Sequence, residues 1–203
     1  MENKLRDTFG NIDIYLFDQL LKGRYDDAKK VLDVGCGNGR NLYYFLRNQY
    51  EVFGVDRDAR AVEAVKQLSA AIAPNNAPGN FAVSSAENLP HSDASFDLII
   101  CSAVLHFAKD EPHFDSMLRS MLRVLKPGGY FFSRLASDIG IETMVQPLGG
   151  HRYLLPDGTE RFLVNEPTLL KYTDEFGELH EPIKTTNVQN MRCMTTWCVQ
   201  KRK

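Results

Sequence analysis

The feature that most constrains this chain is a glycine-rich turn set between two apolar segments. Val31, Leu32 and Val34 form a short apolar run, Gly35, Gly37 and Gly39 follow at alternate positions, and Leu42, Tyr43, Phe45 and Leu46 recur at helical spacing. A strand that passes through glycines straight into a helix places bare backbone where a ligand must be approached closely. The unit is therefore strand, turn, helix.

The rest of the chain repeats that unit. Residues 52–55 read as a second strand, and Asp58 ahead of Ala61, Val62, Val65 and Leu68 reads as a capped helix. A Pro, Asn and Gly loop over 73–80 leads to a brief third strand at 81–83, and the almost wholly apolar 96–100 reads as a strand buried on both faces. A helix over 111–125, stopped by Pro127-Gly128-Gly129, and a strand over 130–135 complete the series. Upstream, Ile12, Tyr15, Leu16 and Leu20 predict one amphipathic helix ending at Gly23. Downstream, Gly140, Pro147, Gly149-Gly150, Pro156 and Gly158 make residues 137–165 a long irregular connection, expected to be a lid or binding loop. A helix over 167–176 and strands over 183–188 and 194–199 close the chain. The expected fold is α/β, a doubly wound sandwich with a mostly parallel sheet of about seven strands and helices on both faces.

Two familiar uses of a glycine turn fit poorly. A dinucleotide-binding loop needs a small third residue in G-x-G-x-x-G, and counting from Gly35 and Gly37 puts Arg40 there, too large for close helix-strand contact. A nicotinamide oxidoreductase is therefore disfavoured. The Gly-Lys-Ser/Thr of a phosphate-cradling loop is missing as well.

Asp33-Val34-Gly35-Cys36-Gly37-Asn38-Gly39 after a first strand instead resembles the motif of class I S-adenosylmethionine-dependent methyltransferases, which have a Rossmann-like fold. Asp56 at the end of the second strand, Ser85-Ala86-Glu87-Asn88-Leu89-Pro90, Ser95-Phe96-Asp97-Leu98-Ile99-Ile100 and Arg123-Val124-Leu125-Lys126-Pro127-Gly128-Gly129 agree in order, so the likeness covers roughly residues 30–135. The resemblance implies that S-adenosylmethionine is bound and S-adenosylhomocysteine released. It places Gly35, Cys36 and Gly37 against the methionine part, with Asp33 holding the loop or the amino group. Asp56 would accept from the ribose hydroxyls, as a two-oxygen acceptor can. Adenine would meet the Ser85, Ala86 and Glu87 segment, with Arg57 over its plane and Cys101 at the end of the fourth strand. Where relatives often carry Asp in the adenine loop this chain has Ser85, a weaker acceptor, which shifts the expected contact to Ala86 backbone or Glu87.

Methyl transfer is an in-line displacement in which alignment supplies much of the acceleration, so no fixed acid or base is required. His106, just after the fourth strand, is the candidate base if one is used, set against a packing role. Tyr15, Arg134 and His151 are the candidates for the acceptor pocket, between the leading helix and the 137–165 loop. The Asn/Asp-Pro-Pro-aromatic tetrapeptide of some amino-methylating enzymes is replaced here by Cys101-Ser102-Ala103-Val104. The loop sequence itself is similar to the tellurite-resistance group of small-molecule methyltransferases. The acceptor is therefore expected to be a small molecule, and a non-catalytic S-adenosylmethionine sensor is the alternative.

Composition narrows the partners. With 24 Lys and Arg against 26 Asp and Glu, a formal charge of -2, there is no global positive field to hold a nucleic acid. Cys36, Cys101, Cys193 and Cys198 form no C-x-x-C pair, which predicts reduced thiols, and no His and carboxylate cluster has metal-ligand spacing. A charged start from Met1 to Asp7 and no apolar run near the ~20 residues of a membrane span predict a cytoplasmic protein with no membrane association. The expected organisation is one domain over 1–203: a leading helix in 1–29, a cofactor core in 30–135 and a substrate-side loop with the last strands in 136–203.

Overall fold

A computed structural model describes residues 4–203; the first three residues of the charged start lie outside it. Five strands alternate with helices in the first two thirds of the chain. They are β1 (Lys30–Val34), β2 (Glu51–Asp56), β3 (Phe81–Val83), β4 (Phe96–Ser102) and β5 (Leu125–Ser137). The helices between them are α3 (Tyr43–Arg47), α4 (Ala59–Ile72) and α5 (Glu111–Val124). After these come α6 (Glu166–Phe176) and the long pair β9 (Gly177–Val188) and β10 (Arg192–Lys201).

The seven-stranded sheet runs β3-β2-β1-β4-β5-β10-β9, with β1 to β5 parallel to one another and β10 antiparallel to both β5 and β9. From β1 the chain steps outward to β2 and β3, then returns to the other side of β1 with β4. Strand order therefore reverses between β1 and β4, and loops leaving those carboxyl ends splay apart to leave a crevice.

Alternation along the strands fills both faces. Val31, Leu98, Ile100 and Phe132 pack with Leu16, Phe45, Val62 and Val65 on one side, whereas Leu32, Ile99, Phe131 and Trp197 pack with Phe114, Leu118, Met121 and Leu169 on the other. The Trp197 indole donates to Thr173 Oγ1 at 2.9 Å, which satisfies its one buried polar atom. Asp58 caps α4 as the sequence predicts, accepting from Arg60 N–H at 2.8 Å.

Two regions differ from expectation. The single leading helix is two: α1 (Lys4–Phe9) ends at Gly10, which takes φ +62°, and α2 (Ile14–Leu21) begins again after Asp13, whose carboxylate accepts Tyr15 N–H at 3.0 Å. A glycine exit followed by an aspartate cap divides an apolar pattern that by itself reads as continuous. Residues 137–165 are not an irregular loop but carry a second, antiparallel sheet of β6 (Gln146–Gly149), β7 (Arg152–Leu154) and β8 (Glu160–Phe162). Its strands are too short to show alternation, and the glycines that suggest a loop are its turns, Gly149 and Gly150 at φ +97° and +60°. Leu155 and Leu163 bury a small core of their own against Ala136. Among the described residues no helix is long and apolar enough to cross a membrane.

Candidate cofactor cleft

The crevice at the carboxyl ends of β1 and β4 holds a cavity of about 190 Å³. Val34 and Gly35 reach it from β1, Asp56 and Arg57 from β2, and Ser84, Ala86 and Glu87 from the segment after β3. Ala103, Val104 and Phe107 close it from the segment after β4, with His113 and Met117 on α5.

The glycine turn is built to bring backbone to this wall. Gly35 and Cys36 both donate their N–H to Val55 O, at 2.8 and 3.0 Å, folding the turn back over β2. Gly35 sits at φ +74°, and a Cβ there would lie 2.2 Å from Val104 Cγ2, so only glycine fits between the turn and the β4 loop. Gly37, at φ +53°, has no atom within 4 Å of where a Cβ would stand. The same turn anchors the cleft's carboxylate: Asp56 Oδ2 accepts Gly37 N–H at 2.9 Å, and Oδ1 accepts Asp58 N–H at 2.9 Å. Each oxygen keeps a second lone pair.

Asp33 lies behind the turn, 1% exposed, with Oδ1 unpartnered. Burial, with a smaller push from Asp56, raises its carboxyl to about 8 despite the opposing charge of Arg40. It is thus a neutral acid at neutral pH in the structure as it stands. Glu87 goes the other way. Burial resists its ionisation, but its own backbone N–H, the His113 ring and the Ser85 hydroxyl together outweigh that and hold it below the usual glutamate range.

Several sequence candidates stand elsewhere. Cys36 and Cys101 are buried in the packed cores on opposite faces of the sheet, not on the cleft wall, and burial pushes both thiols up. Ser85 is half-buried beside the wall, which its neighbour Ser84 lines instead. His106 does not fit a base. It is 6% exposed, its Nδ1 accepts Ala136 N–H at 3.2 Å, and burial followed by the charge of Arg161 lowers its pKa to about 4. A neutral ring whose Nδ1 is occupied carries its hydrogen on Nε2, which leaves no free lone pair for a proton. What His106 supports is Phe107, whose ring lies edge-on at 4.6 Å and reaches the cleft.

Of the acceptor candidates, Tyr15 and Arg134 come together, the guanidinium 4.9 Å from the ring centre, and the Tyr15 hydroxyl pairs with Thr186. They meet at Asp13, which the sequence reading passed over. This carboxylate is 2% exposed and takes hydrogen bonds from Arg134 Nη1 at 3.1 Å and Ser102 Oγ at 3.3 Å, with Arg40 Nη2 3.5 Å away. Its position directly before an apolar helical run was the available signal. His151 has other neighbours, Glu111 at 3.8 Å and Phe162 at 5.7 Å. Phe107 and His113 were also missed. His113 stands one helical turn before Met117 on the same face of α5, a pairing that becomes visible only once the helix start is fixed by Asp110 and Pro112. No group of three or more His, Cys, Asp or Glu side chains suited to a metal occurs among the described residues.

Comparison with known proteins agrees with this geometry. A family profile described as a methyltransferase domain matches residues 32–133. The phthiotriol/phenolphthiotriol dimycocerosates methyltransferase of Mycobacterium tuberculosis is 35% identical over 107 residues, 51% of this chain and 36% of that relative, so the match spans about a third of the relative's length. Among solved structures, PH0226 from Pyrococcus horikoshii shares the fold with a TM-score of 0.69 at 17% identity, over 100% of both chains. The Burkholderia thailandensis 1,6-didemethyltoxoflavin N1-methyltransferase, crystallised with bound 1,6-didemethyltoxoflavin and S-adenosylhomocysteine, gives a TM-score of 0.69 at 16% identity, over 99% of this chain and 82% of that one.

Proposed function

Since the chain belongs to the methyltransferase domain family, whose profile spans half its length, we propose that it transfers a methyl group from S-adenosylmethionine, bound in the β1/β4 cleft, to a small-molecule acceptor. The observation that carries this reading is Asp56. Its carboxylate is pinned by Gly37 and Asp58 at the end of β2 and still faces the cavity, the arrangement suited to a pair of vicinal hydroxyls. The remaining wall fits the rest of the molecule. Backbone at Gly35 lets the chain of the methionine part approach closely, and Phe107 with Arg57 offers flat surfaces for a purine.

When bound, S-adenosylmethionine supplies a methyl group on a sulfonium, open to in-line displacement. The chain's own contribution is alignment. Gly35, wedged by Val104, fixes the turn, while Asp56 and Glu87 hold the two ends of the nucleoside. Tyr15 and Arg134, tied to Asp13, are the residues assigned to the acceptor side. The relatives support a small acceptor, since the Burkholderia protein methylates one. We further assign the chain to one working domain in the cytoplasm, without nucleic-acid or membrane partners, in keeping with its charge of -2 and four unpaired cysteines.

Calorimetric titration with S-adenosylhomocysteine tests the cofactor. The wild type should bind, and Asp56→Ala should bind at least about tenfold more weakly, the loss expected for a charged hydrogen-bond acceptor. No binding by the wild type contradicts the proposal.

A further inference from the structure

The cleft wall carries five polar side chains, and three of them have other duties or environments. Asp56 is tied to the glycine turn, Ser84 Oγ donates to Asn88 O at 2.7 Å, and Arg57 is exposed to solvent. Glu87 and His113 remain. They come from separate elements, and His113 Nε2 stands 3.6 Å from Glu87 Oε1, too long for a hydrogen bond between them.

Their hydrogen-bonding characters are fixed and opposite. His113 Nδ1 accepts Lys109 N–H at 3.1 Å, so the ring's hydrogen sits on Nε2. That N–H is shut off from solvent and has no hydrogen-bond partner, with Glu87 beside it at 3.6 Å, a costly state for a donor unless a ligand completes it. Glu87 beside it is an ionised carboxylate and only accepts. An acceptor next to a donor complements an edge that presents a donor next to an acceptor. Adenine has such an edge in its N6 amine and N7, whereas guanine presents two acceptors there, O6 and N7, and would set O6 against the carboxylate.

We propose that Glu87 and His113 read the N6/N7 edge of the cofactor's adenine, Glu87 accepting from the exocyclic amine and His113 Nε2–H donating to N7. His113 is then a specificity-determining residue, one side of a two-point contact that selects adenine. The inference rests on the cofactor reading above; the Glu87 contact is one the family resemblance already implies, and what is added is His113 as the donor to N7.

The test compares S-adenosylhomocysteine with its 7-deaza analogue, in which N7 becomes C–H, by calorimetric titration. The wild type should bind the parent about tenfold more tightly than the analogue, the size of one lost hydrogen bond to a donor that is then left buried. His113→Ala should bind both ligands equally, and His113→Gln, which restores an N–H donor, should regain part of the preference. Equal binding of the two ligands by the wild type overturns the inference while leaving the cofactor reading intact, and that comparison needs no variant to fold. Retained discrimination in a folded His113→Ala overturns it too. Failure of the wild type to bind S-adenosylhomocysteine at all removes the cofactor reading and this inference together.

Discussion

At the scale of single residues, the cleft depends on glycines that are not equivalent. Gly35 is caught between backbone strain and Val104, so Gly35→Ala should destabilise the fold by about 3 kcal/mol through overpacking at positive φ. Gly37→Ala meets open space and should cost only about 1 kcal/mol, the strain of a left-handed non-glycine residue. Urea denaturation of the two variants checks that difference. Asp33 makes a pH prediction. Its folded carboxyl titrates near 8 against an ordinary value of 3.8, so its stabilising contribution is full below pH 3.8 and is lost as pH rises toward 8. His106 acts in the opposite sense: with a folded value of about 4 against 6.5, its contribution is present above pH 6.5 and is lost as pH falls toward 4. Asp33→Asn removes the first effect alone. Its melting temperature relative to wild type should rise between pH 5 and pH 8, and a constant difference would refute the buried neutral acid. Gly35 was legible because the turn demands glycine, and Asp33 and Asp56 because their positions around it resemble a family motif. The orientation of Cys36 was not, since a thiol beside a glycine turn can face ligand or core, and only the approach of Gly54 to its sulfur, where a Cβ would lie 3.0 Å away, decides for the core.

Among elements, the alternation of strand and helix was readable because β1 to β5 and α4 to α6 each carry a strong period and a clear start or stop. The largest boundary shifts are at β9, which begins at Gly177 rather than 183, and at β5, which already begins at Leu125, with Pro127 in an irregular stretch of its ladder with β4. The second sheet was hidden by strands of three or four residues, too short to register a period against their own turn glycines. The break between α1 and α2 matters more for the site. Asp13 both caps α2 and buries its carboxylate against Arg134, Arg40 and Ser102, so one side chain ties the N-terminal helices to the glycine turn, β4 and β5. Asp13→Ala should cost about 3 kcal/mol, of which about 1 is the lost cap and the rest the unpaired guanidiniums. Limited proteolysis should then cut within α1 and α2 faster than in wild type, and an unchanged cleavage pattern would show that Asp13 is no tether.

For the whole molecule, strand order is what places the site. The reversal between β1 and β4 collects the loops after β1, β2, β3 and β4 at one edge, and residues far apart in sequence, such as Gly35, Asp56, Glu87 and His113, line one cavity. The part of that cavity proposed for the nucleoside is lined by Asp56, Glu87 and His113. Tyr15 and Arg134, proposed for the acceptor, meet at Asp13 and do not line that cavity, and function must be argued from such a site rather than from the fold that carries it. The central claim is methyl transfer to a small molecule. Its most direct test is to incubate the purified protein with methyl-labelled S-adenosylmethionine and a cell extract, then count label in the metabolite, protein and nucleic-acid fractions. The account predicts label in the metabolites, lost with Asp56→Ala; label confined to protein or nucleic acid, or no transfer by a protein that binds the cofactor, would contradict it.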